Sequence, residues 1–405
     1  MSLLLATLVL ALPLVEDETL DRIETVEGQE YEGRVVFEDE EKLVLLIGSR
    51  EKEFALADLA KVRSVNRSLR ELLDHQSATE LDDLVATKDL ARFARSRGLH
   101  GEARALWLQA LLIDAKDEEA NEALGNRKRK GYYELRHGNR WWTLEDLKIR
   151  TTDWGEAWEL SSAHYELRTN VGLKEGIALL FDTERFYQMF FDFMREGFDL
   201  HETNKIMKIQ IHADEASFPE IVGTRTSYTD GENRAAYVDA SAGLDRGALA
   251  HEALHLLVHM TTVESRQSRG FVPAWLDEGL AEYFRAALHG PMGRAAYTPG
   301  DKNYYHFKEH ATTGHPYELS RLLQFGRGDY LVSSGTRLRY AQSYTLVDYL
   351  LNGDEGALRE RFFDFIARCY EGRSSSTHFK KAMGLDEDEL EEGWGAYAEQ
   401  QARGG

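Results

Sequence analysis

Between Thr19 and Val65 the chain breaks into short apolar runs. Arg34-Val35-Val36-Phe37 and Lys42-Leu43-Val44-Leu45-Leu46-Ile47 are β-branched or apolar, separated by acidic turns and punctuated by Gly28, Gly33 and Gly48. That pattern predicts several short strands. So many strands this close together predict a small antiparallel barrel or curled sheet, SH3-like, over residues 17–66. A module of that kind hosts many activities, so no function follows from it.

Around Ser68 the period lengthens to that of a helix. Glu80 to Arg97, Gly101 to Ile113 and Asp117 to Leu124 carry apolar residues at helical spacing, with Gly98 and Gly125 as stops. Arg92-Phe93-Ala94 paired with Ala105-Leu106-Trp107 resembles one tetratricopeptide-type hairpin. Repeat arrays normally need three or more units, so residues 67–150 are expected to form a helical linker domain, only weakly repeat-like. The basic run Asn126-Arg127-Lys128-Arg129-Lys130 is expected to be a solvated helix end or loop. Tyr132, Tyr133, Trp141 and Trp142 are expected in core packing or on a docking surface.

From residue 151 the pattern alternates between the two periods. Tyr165-Glu166-Leu167-Arg168-Thr169 predicts a strand, Glu175 to Phe198 a long amphipathic helix, and Ile206 to Ile211 and Arg234 to Asp239 two further strands. The order suits an α+β domain with a helix behind a mixed sheet over residues 151–405. The Arg234 to Asp239 strand is expected to offer a free edge to an extended peptide. The fold class is therefore multidomain α+β.

Charge narrows the partners. Lys and Arg number 49 against 70 Asp and Glu, a formal −21, and such a field disfavours nucleic acid or an anionic membrane. A protein partner could still dock on the N-terminal modules. The apolar run Leu3 to Val15, followed by Glu16-Asp17-Glu18, is too short for a bilayer span. It has the length of a signal-peptide core. Residues 1–16 are thus expected to direct export, periplasmic or extracellular; a buried first strand or helix in a cytoplasmic protein is the alternative. No integral membrane span is expected. Cys369 is the only cysteine, so there is neither a disulfide nor a cysteine metal site. It is expected to be a buried thiol. Any metal must be held by His, Asp or Glu.

The chemistry gathers in His251-Glu252-Ala253-Leu254-His255, set in the apolar run Leu249 to Val258. On a helix, residues four apart share a face, about 5–6 Å between Cβ atoms, so two imidazoles there can reach one zinc ion. Glu252 then stands beside the water in the open coordination position. Two imidazoles and a carboxylate buried without partners would be costly, and a bound cation supplies the partner. The alternative is two hydrogen-bonded histidines on a buried helix. Downstream, Trp275-Leu276-Asp277-Glu278-Gly279-Leu280-Ala281-Glu282-Tyr283 opens a second helix after Pro273. Glu278 can supply the third ligand. Glu282, one turn later, is placed to accept the other N–H of a ligating imidazole.

On these residues the chain resembles the gluzincin metallopeptidases, the superfamily of thermolysin and the zinc aminopeptidases. It is similar to uncharacterised bacterial gluzincin-like proteins with the same N-terminal arrangement. The resemblance implies that the Glu of a Trp-x-x-Glu-Gly-like segment, here Glu278, is the third ligand. It implies an acidic residue four positions on, here Glu282, bonded to the first histidine. It also implies a transition-state tyrosine further downstream, here Tyr340 in the predicted helix Arg339 to Leu351. Tyr344 is its rival, and a core tyrosine is the other reading. The gap between His255 and Glu278 is longer than in the aminopeptidases, so the loop Thr261 to Val272 is expected to be extended. No Gly-x-Met-Glu-Asn segment precedes the helix, so recognition of a free amine is not implied. The metzincin pattern fails, because Val258 and Thr261 stand where its Gly and third His belong. His259 lies roughly 12 Å along the helix from His251, too far to share its ion. His306, His310 and His315 are expected to be surface or loop histidines.

The resulting expectation is zinc-dependent hydrolysis of peptide bonds in a peptide or protein substrate. One Zn2+ is held by His251, His255 and Glu278, with Glu252 as general base and Tyr340 as oxyanion donor. The alternatives are a metal-bearing scaffold or interaction module whose site is vestigial, and a hydrolase acting on non-peptide substrates. The intact Glu252 argues against the scaffold, since a structural site needs no base.

Overall fold

The structure is a computed structural model and describes residues 20–80, 82–219, 227–263, 268, 270–332 and 334–404. The signal-peptide expectation for residues 1–16 lies outside the described residues. The chain divides into two compact units, Met1–Ser68 and Leu69–Gly405.

In the first unit the apolar runs become β1 (Asp21–Thr25), β2 (Glu30–Glu38), β3 (Lys42–Ile47), β4 (Arg50–Ala55) and β5 (Leu59–Arg63). They form an antiparallel sheet in the order β4-β3-β2-β1-β5. The long β2 pairs β1 with its first half and β3 with its second, and the register breaks between Val35 and Phe37. An extra residue on one strand bends it and increases its twist. Ile23, Val35, Leu43, Leu45 and Phe54 fill one core, and Val36, Phe37 and Val44 a smaller one. A buried carboxylate ties the sheet together. Asp21 accepts from the backbone N–H of Val35 at 2.6 Å and from that of Val65 at 2.7 Å. Replacing Asp21 by Ala strands both donors, and about 2–3 kcal/mol of stability should be lost. Urea unfolding would read this as a lower midpoint, and Asp21→Asn should recover part of it.

Helix α1 (Val65–Ser77) begins in the first unit and ends in the second. It is followed by α2 (Leu84–Ser96), α3 (His100–Ile113) and α4 (Glu118–Ala123). Asp83 and Asp117 cap α2 and α4, and the expected stops Gly98 and Gly125 have φ of +80° and +67°. This helical stretch is built into the same unit as residues 151–405. Buried Glu102 on α3 accepts from Ala163 N at 2.7 Å, and Arg185 donates to Leu73 O and Gln76 Oε1.

The basic run is a strand rather than a loop or helix end. It forms β6 (Arg127–Arg129), which pairs with β7 (Tyr132–His137), itself paired with β8 (Arg140–Trp142). Cross-strand contacts explain the difference. The Arg127 guanidinium lies 4.7 Å from the Trp141 ring, and the Lys128 ammonium 5.1 Å from that of Tyr133. A short helix, α5 (Leu144–Arg150), follows, with Thr143 and Asp146 forming a capping box.

The second large sheet contains β9 (Trp158–Ser161), β10 (Tyr165–Thr169), β11 (Met207–His212), β12 (Tyr228–Asp230) and β13 (Ala235–Asp239), in the order β12-β13-β11-β10-β9. β10, β11 and β13 run parallel, and the two edge strands antiparallel. The expected mixed sheet with a helix behind it is present, the helix being α6 (Leu173–Met194) with its buried phenylalanines. One expectation is corrected. The Arg234 to Asp239 stretch has no free edge, because β13 is flanked by β11 and β12. The chain folds back at Gly231, so the three-residue β12, too short to show alternation, takes the edge.

After the sheet come α7 (Arg246–Thr262), α8 (Ala274–Ala286), the hairpin β14 (Leu288–His289) and β15 (Ala296–Tyr297), and α9 (Tyr304–Thr312). The chain closes with α10 (Leu319–Leu322), α11 (Arg327–Leu331), α12 (Thr336–Asn352), α13 (Arg359–Tyr370), α14 (Ser376–Met383) and α15 (Glu387–Gly404). α8 packs between α7 and α12. At Gly279 a Cβ would lie 2.6 Å from the Ser343 carbonyl oxygen, so only glycine lets α8 and α12 approach this closely. The segment between α7 and α8 is long, as expected, although residues 264–267 and 269 fall outside the described ones. Cys369 is a buried free thiol. Among the described residues no helix is long and apolar enough to cross a membrane.

Candidate metal centre

Helix α7 starts at Asp245, whose carboxylate accepts from Gly247 N, and it is buried on nearly every side. That leaves His251 and His255, one turn apart, facing α8 within the protein. Their Nε2 atoms are 3.1 Å apart, and Glu278 Oε2 from α8 lies 3.4 Å from each. Ligand atoms arranged tetrahedrally at about 2.0–2.1 Å from one ion stand about 3.3–3.4 Å from each other. The triangle therefore has the size that a tetrahedral divalent ion requires. Glu278 Oε2 is buried with no hydrogen-bond partner, an acceptor whose burial a cation would offset. His251, His255 and Glu278 are thus a group able to hold a metal ion.

The outer ring nitrogens meet carboxylates. His251 Nδ1 lies 3.0 Å from Glu282 Oε1, where Glu282 was expected, and His255 Nδ1 lies 3.1 Å from Asp277 Oδ1. Neither contact is aligned as a hydrogen bond. A carboxylate beside Nδ1 still favours the N–H tautomer there, which turns both Nε2 lone pairs toward the shared point. Asp277 escaped the sequence reading, although it directly precedes Glu278. Its other oxygen is 3.1 Å from Arg327 on α11. Replacing Asp277 by Ala is expected to weaken cation affinity by about 10–100-fold without unfolding the protein. A competition titration against a chromophoric chelator would measure it.

The histidines of α9 correct another expectation. His306 and His310 are buried rather than exposed, whereas His315 is exposed as expected. His306 Nε2 lies 2.8 Å from Glu282 Oε2, so Glu282 joins His306 to His251. His310 Nδ1 contacts Thr345 Oγ1 at 2.9 Å. Packing of α9 against α12 and α15 turns both inward, and the local sequence does not reveal that packing.

Burial and charge oppose one another throughout the site. Burial alone would depress the His251 pKa, but Glu278 and Glu282 outweigh it and raise it to about 9. Burial likewise opposes protonation of His255, and Asp277 and Glu278 hold its pKa well above the ordinary value. Burial would raise Glu278 and Glu282, yet the neighbouring imidazoles keep both low. Glu252 is different: burial raises its pKa against the pull of His251 and His255. The Thr229 hydroxyl on the edge strand β12 is 2.9 Å from Glu252 Oε2 and equally close to the Glu252 carbonyl oxygen.

The Tyr340 ring lies 6.1 Å from that of His251. Burial, then Glu278, Glu252 and Glu282, push its phenol far up, so it stays a proton donor. Tyr344, the rival, is occupied elsewhere: its oxygen accepts from Asn303 N at 2.7 Å.

Residues 246–371 match the model of a family described as a protein of unknown function (DUF1570). That stretch runs from the first residue of α7 to just beyond α13 and contains His251, Glu252, His255, Glu278, Glu282, His306 and Tyr340. No curated protein matches the chain.

Proposed function

We propose that this chain is a zinc-dependent peptidase of the gluzincin type. The reading rests chiefly on one observation, the convergence of His251 Nε2, His255 Nε2 and Glu278 Oε2 within 3.1–3.4 Å of one another. Two imidazoles and a carboxylate, with one position open, are a donor set zinc uses in catalysis. When bound, zinc lowers the pKa of a water toward neutrality and polarises a substrate carbonyl. The remaining work falls to the chain. Glu252, buried beside the ligands and held by Thr229, takes a proton from the attacking water and returns it to the leaving amine. Its pKa, raised by burial, suits a group that must both accept and release a proton. Tyr340 keeps its phenolic proton and donates to the developing oxyanion.

Tyr340→Phe is accordingly expected to lower kcat by about 10²–10³-fold with KM little changed. An equal loss spread over KM alone would assign the phenol to ground-state binding instead. The reading as a whole is tested by metal analysis of the purified full-length protein together with cleavage of a peptide library. Protein without zinc affinity, or zinc-loaded protein that leaves every peptide intact, would overturn it.

A further inference from the structure

The hairpin built on the basic run has no part in the metal centre, yet its composition is unlike the rest of the chain. Residues 127–150 hold eight Lys or Arg against three Asp or Glu, a local +5 in a chain of −21. Cross-strand register shows how they are arranged. Arg129 is opposite Tyr132, Arg127 opposite Glu134, and Arg136 opposite Trp141. Opposed residues share a face, and alternate residues of β7 share it too. Arg127, Arg129, Tyr132, Glu134, Arg136 and Trp141 therefore line one face, three guanidinium groups against one carboxylate. Leu135, buried, belongs to the other. The first face points outward, with Tyr132 66% exposed. Only Arg127 is neutralised there, by Glu134 at 2.6 Å. Arg129 and Arg136 have no ion-pair partner among the described residues.

Beside this face opens a cavity of about 300 Å³. Leu108, Leu124 and Leu135 line it together with Arg104 and Arg136. The lining is mixed, with Asn126 and Gly138 among it, and half-buried Leu124 together with the Arg136 guanidinium fits an apolar side chain flanked by carboxylates. Arg, Tyr and Trp are also the residues on which binding energy concentrates at protein interfaces.

We infer that this face and its cavity bind an acidic protein segment carrying an apolar anchor residue. Charge range decides among polyanions. Beyond a Debye length of about 8 Å a short segment meets only the local positive patch. A nucleic acid or an anionic membrane extends into the field of the remaining chain, which is negative. Half-buried Leu124 adds a place for an apolar side chain, which phosphates do not fill.

The test is fluorescence anisotropy of a labelled Asp/Glu-rich peptide with one central leucine, added to the full-length protein. Binding should weaken with added salt and by at least about tenfold in the double variant R129E/R136E. Changing the peptide's leucine to serine should cost about tenfold as well. Because that second change leaves the protein untouched, it holds even if the double variant folds poorly. Absence of binding at millimolar peptide, equal affinity in R129E/R136E, or indifference to the leucine would overturn the inference. So would tighter binding of a single-stranded oligonucleotide or of phosphatidylserine vesicles. The titration uses full-length protein carrying E252Q, so that hydrolysis at the metal centre cannot release the label, and the loss in R129E/R136E separates binding at this face from binding at that centre.

Discussion

Glu252→Gln is expected to retain zinc and to lose about 10²–10⁴-fold in peptide hydrolysis. Glutamine matches glutamate in size, and the Thr229 hydroxyl that reaches Glu252 Oε2 can donate equally to an amide oxygen. The three converging ligand atoms belong to other residues, so the cation should remain. The amide cannot take up a proton, so base catalysis alone is removed. Burial raises the Glu252 carboxyl, so the acid limb of the wild-type rate profile should lie above the ordinary carboxylate range. With zinc kept saturating, activity should rise as pH climbs through that limb, and the limb should vanish in the variant. Metal analysis beside a rate measurement suffices, and undiminished cleavage by the glutamine variant would remove Glu252 from the mechanism.

Loss of one ligand should be broader in effect. His255→Ala takes away one corner of the triangle, leaves Asp277 buried without its imidazole and leaves Glu278 with His251 alone. Both cation retention and hydrolysis should fall to background. In the wild type, a cation at a thousand times its Kd stabilises the folded state by about 4 kcal/mol, so zinc should raise Tm in the wild type and not in the variant. The wild-type affinity should also depend on pH. His251 holds its proton up to about 9, and His255 is likewise raised. The cation must displace those protons, so affinity increases as pH rises toward that value and is lost as pH falls. Where both imidazoles are protonated, the gain approaches about a hundredfold per pH unit. A flat profile between pH 6 and 9 would mean that the cation binds elsewhere.

Much of this was legible in the residues, and what was missed follows a pattern. The His251–His255 pair and the Glu278–Glu282 pair each follow from spacing within a single helix, whereas the place of Tyr340 beside them was only implied by the family resemblance. The five-stranded first unit follows from short apolar runs between turns. Asp277 was overlooked because adjacent acids on a helix point about 100° apart, and nothing local says which of them meets the second imidazole. His306 and His310 were assigned to the surface because α9 is a polar segment whose burial depends on α12 and α15. The edge strand β12 has three residues, fewer than an alternation needs to be visible.

The sequence alone therefore determined what each helix of the centre carries on each face, because an α-helix fixes the relation between residues three and four apart. The tertiary structure decided which faces meet. Contact between α8 and α12 at Gly279 accompanies the approach of Glu278 to the histidines, α12 carries the Tyr340 ring to 6.1 Å from that of His251, and the fold of α9 brings His306 to Glu282. Those meetings depend on close packing between segments far apart in the chain, and no periodicity within a single segment encodes them.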